Sequence, residues 1–157
     1  MNKKIFVLII CAFLCFTFTG CDDKTNTTNI NESLKPEEIE KVSLDKIDVD
    51  LTTLSSTMVY SEVYNMLTEP NKYIGQVVKM NGQYVQYSNQ DNSLFYPAIL
   101  IADATACCTQ GIEFVLEGNP GNDAYPEIDS EATVVGVFNT YYEDGLLYCH
   151  LEKAKLI

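Results

Sequence analysis

The stretch that decides the fold lies at the C-terminal end: ATVVGVFNTYY over Ala132–Tyr142, EDG over Glu143–Gly145, and LLYCHLEKAKLI over Leu146–Ile157. Two runs rich in Val, Leu and Tyr flank a short polar break, which is the pattern of paired strands. Asp144-Gly145 suits the break, because both residues tolerate the positive φ that a tight hairpin needs. Side chains alternate along a strand. Leu147, Cys149 and Leu151 are therefore expected on the inner face, with Tyr148, His150 and Glu152 on the outer one.

Three more strands precede this hairpin. Gln76–Ser88 carries Val77, Val78, Tyr84, Val85 and Tyr87 around Gly82, where a bend or bulge is expected. Phe95–Ala104 is mostly apolar, and Ile112, Phe114 and Leu116 alternate with Glu113 and Glu117. Ahead of them, Val59, Val63, Met66 and Leu67 share one face of a helix that Pro70 stops. The prediction is a mainly β domain over 57–157, a small five-stranded barrel with one N-terminal capping helix. The pattern resembles the oligonucleotide/oligosaccharide-binding (OB) fold. The resemblance is carried by Asn71–Gly82, by the small-residue step Val135-Gly136-Val137 and by the late hairpin. It implies that the third and fifth strands run parallel and close the barrel. The Gly/Pro-rich 118–130 stands where many OB folds place a helix.

The chain begins with an address. Lys3 and Lys4 precede an apolar run over 5–18, with Thr19-Gly20 as a small-residue exit. These are the parts of a secretory signal. Phe18-Thr19-Gly20-Cys21 resembles the lipobox of bacterial lipoproteins, although Phe18 stands where Leu is usual. That resemblance implies cleavage before Cys21 and acylation of its sulfur, which would anchor the protein in the cell membrane, facing outward into the envelope. Residues 21–56, polar and then acidic, read as the lipidated cysteine and a flexible tether.

Composition narrows the partners. The 157 residues carry a net charge of -12, and all ten basic residues are lysine. Phosphate contacts need cations, so nucleic acid is not expected as a partner. There is no Gly-x-Ser-x-Gly, phosphate-binding loop, HExxH or Cys-x-x-Cys motif. No enzyme activity is expected.

The cysteines carry the chemistry. With Cys11 and Cys15 in the leader and Cys21 acylated, Cys107, Cys108 and Cys149 remain, and the sole histidine, His150, follows the last of them. If the third and fifth strands pair, Cys107 and Cys108 come near Cys149 and His150. Thiolates with an imidazole suit Zn²⁺, and thiolates alone suit Cu⁺. A disulfide from Cys149 to Cys107 or Cys108 is the alternative, and small buried cysteines without chemistry are a third possibility. Alternation sets Cys149 inward and leaves His150 as a surface histidine. Asp103 is able to join a site or to serve only its turn.

Ala102–Phe114 resembles a segment of uncharacterised lipoproteins from low-GC Gram-positive bacteria. The Cys-Cys pair beside Ala-Asp-Ala is more distantly similar to the soluble domain of a membrane protein that partners permeases. That similarity implies metal handling beside a membrane transporter. The competing function is an interaction module held by a disulfide. Its surface, with Tyr84, Tyr87, Tyr96, Tyr141, Tyr142 and Tyr148, would recognise an envelope partner or small ligand.

Overall fold

The computed structural model describes residues 33–89 and 93–157. The leader 1–20, Cys21 and the start of the tether lie outside them. Six strands form one sheet: β1 (Val49–Asp50), β2 (Val77–Ser88), β3 (Phe95–Ala102), β4 (Thr109–Leu116), β5 (Glu131–Glu143) and β6 (Leu146–Leu156). Among the described residues two α-helices precede most of it, α1 (Pro36–Ile39) and α2 (Ser56–Thr68).

The neighbour order is β1-β2-β3-β4-β6-β5, and β5 also pairs with β2, so five strands form a hydrogen-bonded ring. All ring pairings are antiparallel except β4 with β6. Strand β2 changes partner along its length: Val77–Gln83 pair with β5, and Gln83–Ser88 pair with β3. Gly82 sits at this change. A Cβ there would lie 2.3 Å from the Leu100 carbonyl oxygen, so only glycine permits the approach. The 143–146 hairpin turns through Asp144 at φ 50° and Gly145 at φ 80°, as its residues require.

The core lies inside the ring. Val78, Met80, Ile99, Ile112, Phe114, Val134, Phe138 and Leu151 are fully buried there, together with Val63 and Met66 of α2. The helix lies against β3 and β4, so its apolar stripe covers the ring as a cap. It ends at Thr68, two residues before Pro70. The 117–130 connection holds only a single 3-10 turn, Asn122–Ala124. Its Tyr125 packs on Tyr84 and Phe114 instead, with ring centroids 6.2 and 5.6 Å away.

The expected tether does not extend to residue 56. From Leu34 onward the chain is folded onto the sheet, and Ile39 and Leu51 are buried. Asn139 holds Leu34 twice: its Oδ1 accepts the Leu34 N–H at 2.8 Å, and its Nδ2 donates to the Leu34 carbonyl at 3.0 Å. Lys153 Nζ donates to the carbonyls of Glu40 and Val42 at 2.9 and 3.4 Å. Strand β1 runs parallel to β2, with Val49 opposite Val78. The acidic residues that read as linker have structural work: Asp48 accepts the Val77 N–H, and Asp50 caps the turn that follows it through Thr52. No helix among the described residues is long and apolar enough to cross a membrane.

Candidate functional site

Cys107 and Cys108 lie in the loop that joins β3 to β4, and both are exposed. Asp103 builds this loop. Its N–H donates to the Cys108 carbonyl at 2.9 Å, closing the hairpin. Its Oδ1 accepts the backbone N–H groups of Thr105 at 3.1 Å and Cys107 at 3.0 Å. This is the side-chain turn that Asp favours. Ala106 takes a left-handed φ of 55°, which turns the chain toward the two cysteines.

One thiol then reaches the same carboxylate, and the second stands beside the first. Cys107 Sγ donates to Asp103 Oδ2 at 3.3 Å and lies 3.5 Å from Cys108 Sγ. One donor atom from each of Asp103, Cys107 and Cys108 lies within 4.8 Å of the other two. Two thiolates on one tetrahedral zinc sit about 3.8 Å apart, from Zn–S distances near 2.3 Å. The observed spacing is already close to that. Burial works against the charge on Asp103. The Cys107 thiol, the Thr105 hydroxyl and the backbone N–H groups outweigh it, and they hold the carboxyl below its ordinary range. The Cys108 thiol is pushed up by its contact with Cys107, then by burial and the Asp103 charge.

Cys149 and His150 do not join this site. Strands β4 and β6 are parallel as expected, but Glu113 stands opposite His150, which sets Cys149 level with Ile112. Cys108 is four residues below that level, roughly 13 Å along the strand. A disulfide needs Cα atoms within about 7 Å. The pairing of Cys149 with Cys107 or Cys108 is therefore ruled out by register, as is the four-ligand arrangement of Cys107, Cys108, Cys149 and His150. Cys149 belongs to the core, where burial, with a smaller contribution from the Glu113 charge, raises its thiol to about 11.

His150 also departs from expectation. It points outward yet is only 8% exposed. Tyr141 covers it, with ring centroids 4.8 Å apart. Its Nε2 lies 2.8 Å from Glu152 Oε1, at ion-pair distance but without the alignment of a hydrogen bond. Burial of Glu152 opposes its charge, but His150 and the Asn139 amide outweigh this and lower its pKa.

The tyrosines divide. Tyr84 is a core residue, fully buried against Phe114. Tyr96 donates to Glu143 at 2.8 Å, and Tyr141 donates to Glu113 at 2.5 Å. Tyr141 and Tyr148 stack at 5.4 Å, while Tyr87 and Tyr142 are exposed. Tyr96, Glu113, Tyr141 and His150 line a cavity of about 260 Å³ with Phe95 and Pro97. Glu113 and Glu143 escaped the sequence reading, since strand pairing alone brings them to the tyrosines. The Asp103-Ala-Thr105 turn signal was present in the sequence, and Asp103 builds that turn.

No protein-family model matches the chain, and no curated protein matches it significantly. Among solved structures, it is similar to a lipoprotein of Klebsiella pneumoniae subsp. pneumoniae that bears the provisional name nucleic acid-binding lipoprotein. Identity is 21%, over 67% of this chain and 81% of that one, with a TM-score of 0.33. At that score the likeness assigns no ligand here. The expectation of no nucleic-acid partner, drawn from net charge alone, is withdrawn beside that neighbour's name. Total charge does not report a local surface, and bases also stack on neutral aromatic faces.

Proposed function

We propose that this protein is a lipid-anchored, extracytoplasmic binding protein whose OB-like domain takes a soft cation, Zn²⁺ or Cu⁺, at Asp103, Cys107 and Cys108. The anchor is the acylated Cys21. The observation that carries the cation site is the convergence of three donor atoms within 4.8 Å on an exposed, internally bonded loop. Two sulfurs and one carboxylate satisfy three positions of a tetrahedral zinc and leave the fourth open. An open, exposed site suits passing an ion onward, and a membrane transporter is the partner that fits. Binding releases thiol protons, so affinity rises with pH.

Native mass spectrometry of the full mature chain with added Zn²⁺ tests this. One ion per chain is expected, lost in both Cys107→Ser and Cys108→Ser. Unchanged uptake in either variant would sink the reading. A second reading places function on the outer face, where Phe95 and Val115 are exposed at the Tyr96–Tyr141 cavity. That face would take an apolar or aromatic ligand, and Phe95→Ala would then weaken binding without touching metal uptake.

A further inference from the structure

We infer that Cys107 and Cys108 form a dithiol–disulfide couple that opens and closes the cation site. This inference rests on the cation reading of the same loop. Their Sγ atoms lie 3.5 Å apart, both residues are exposed, and the third described thiol, Cys149, is buried in the core. Each sulfur therefore has the other as its near partner. Closing the bond needs the sulfurs to move about 1.5 Å closer, to an S–S length near 2.05 Å.

The bond would be a labile one. Adjacent residues hold their Cα atoms 3.8 Å apart across a trans peptide. Ordinary disulfides span about 4.4–6.8 Å. The resulting ring is strained, and strained, exposed disulfides are the easily reduced, regulatory kind. Asp103–Cys108 lies beyond the last β3–β4 pair, Ala102 with Thr109, so closing the ring breaks no pair of the ladder. The compartment expected from the leader is one where disulfides persist.

The oxidant is a disulfide, R–S–S–R, from a small molecule or an exchange protein. One cysteine thiolate attacks a sulfur of R–S–S–R, forming a mixed disulfide and releasing one RS⁻. The other thiolate attacks the cysteine sulfur of that mixed disulfide. The Cys107–Cys108 bond forms and the second RS⁻ leaves. Two electrons pass from the cysteines to R–S–S–R, and the two thiol protons go to the released thiolates. The cystine offers the cation no thiolate, so Asp103 alone cannot hold it. Reduction restores the site.

The test uses the full mature chain in detergent, reduced and then exposed to oxidised glutathione. Cleavage at acidic residues isolates 104–113, which holds both cysteines apart from Cys149. The expected fragment is two hydrogens lighter than the reduced one, with Zn²⁺ affinity down at least 100-fold and recovered on reduction. Cys108→Ser should trap a glutathione adduct on Cys107. A fragment that keeps both thiols overturns the couple, and so does a cystine form that still takes Zn²⁺ normally. A reduced chain that takes no Zn²⁺ before any oxidant is added instead fails the cation reading, and the gate with it.

Discussion

Glu113 on β4 stands opposite His150 on β6 in parallel register. This pairing divides the described cysteines into two populations. Cys149, one residue before His150, is held inside the ring, while Cys107 and Cys108 project from the loop that precedes β4. The division has chemical consequences, because thiolate reactivity follows exposure and charge environment.

Alkylation should read the division directly. At pH 8, iodoacetamide is expected to modify Cys107 and Cys108 and to spare Cys149 until the protein unfolds, as mapped on the acid-site fragments. Cys149 also gives stability a sign at alkaline pH. Its folded pKa of about 11 lies above the ordinary value of 9.0. Its contribution is therefore intact below pH 9 and is lost as pH rises toward 11. Cys149→Ala should flatten that loss in urea titrations made from pH 8 to 11.

Asp103→Asn separates the turn from the ligand. The amide oxygen still accepts the Thr105 and Cys107 N–H groups, so stability should change by less than about 0.5 kcal/mol. The anionic donor is gone, so Zn²⁺ affinity should fall about tenfold or more, the equivalent of roughly 1.4 kcal/mol. Isothermal titration beside thermal unfolding checks both. A variant that binds normally would leave Asp103 as a turn residue only.

The strands and the main helix were legible because their signals are local. Alternation marks 112–117 and 147–152, the Val- and Tyr-rich run marks 77–88 with a bend at Gly82, and Asp144-Gly145 marks the hairpin. What escaped depends on distance in sequence. Strand β1 has two residues, too few for any period to show. Asn139 and Lys153 hold the 34–42 segment from more than 100 residues away, so its polar sequence looks like a linker. Parallel pairing of β4 and β6 was inferable from the fold resemblance, but the register was not. Four residues of offset decide whether Cys149 meets Cys108. His150 shows the same limit: alternation gives its direction, while Tyr141 decides its burial.

Asn139→Ala tests the packed N-terminal segment. The variant loses both bonds to Leu34 and the 3.0 Å bond to Glu152. A cost of about 1–3 kcal/mol is expected, since half-buried partners are left unsatisfied around a buried position. Limited proteolysis should then cut between 34 and 48 faster than in the parent chain. Equal cutting would show that Asn139 does not hold the segment.

Cys21→Ser tests the anchor. Two acyl chains bind a membrane stably where one does so marginally. The variant should lose incorporation of labelled palmitate and move from the membrane fraction to the soluble one. A variant that stays in the membrane would remove the lipid-anchor proposal.

The cation site itself is tested most directly by X-ray absorption at the zinc edge of the full mature chain loaded with one equivalent of Zn²⁺. The site at Asp103, Cys107 and Cys108 predicts two sulfur scatterers near 2.3 Å with oxygen scatterers at about 2.0–2.2 Å. It predicts no imidazole signature, because His150 lies beneath Tyr141 and is paired with Glu152. A spectrum with histidine ligation, or with fewer than two sulfurs, would contradict the account.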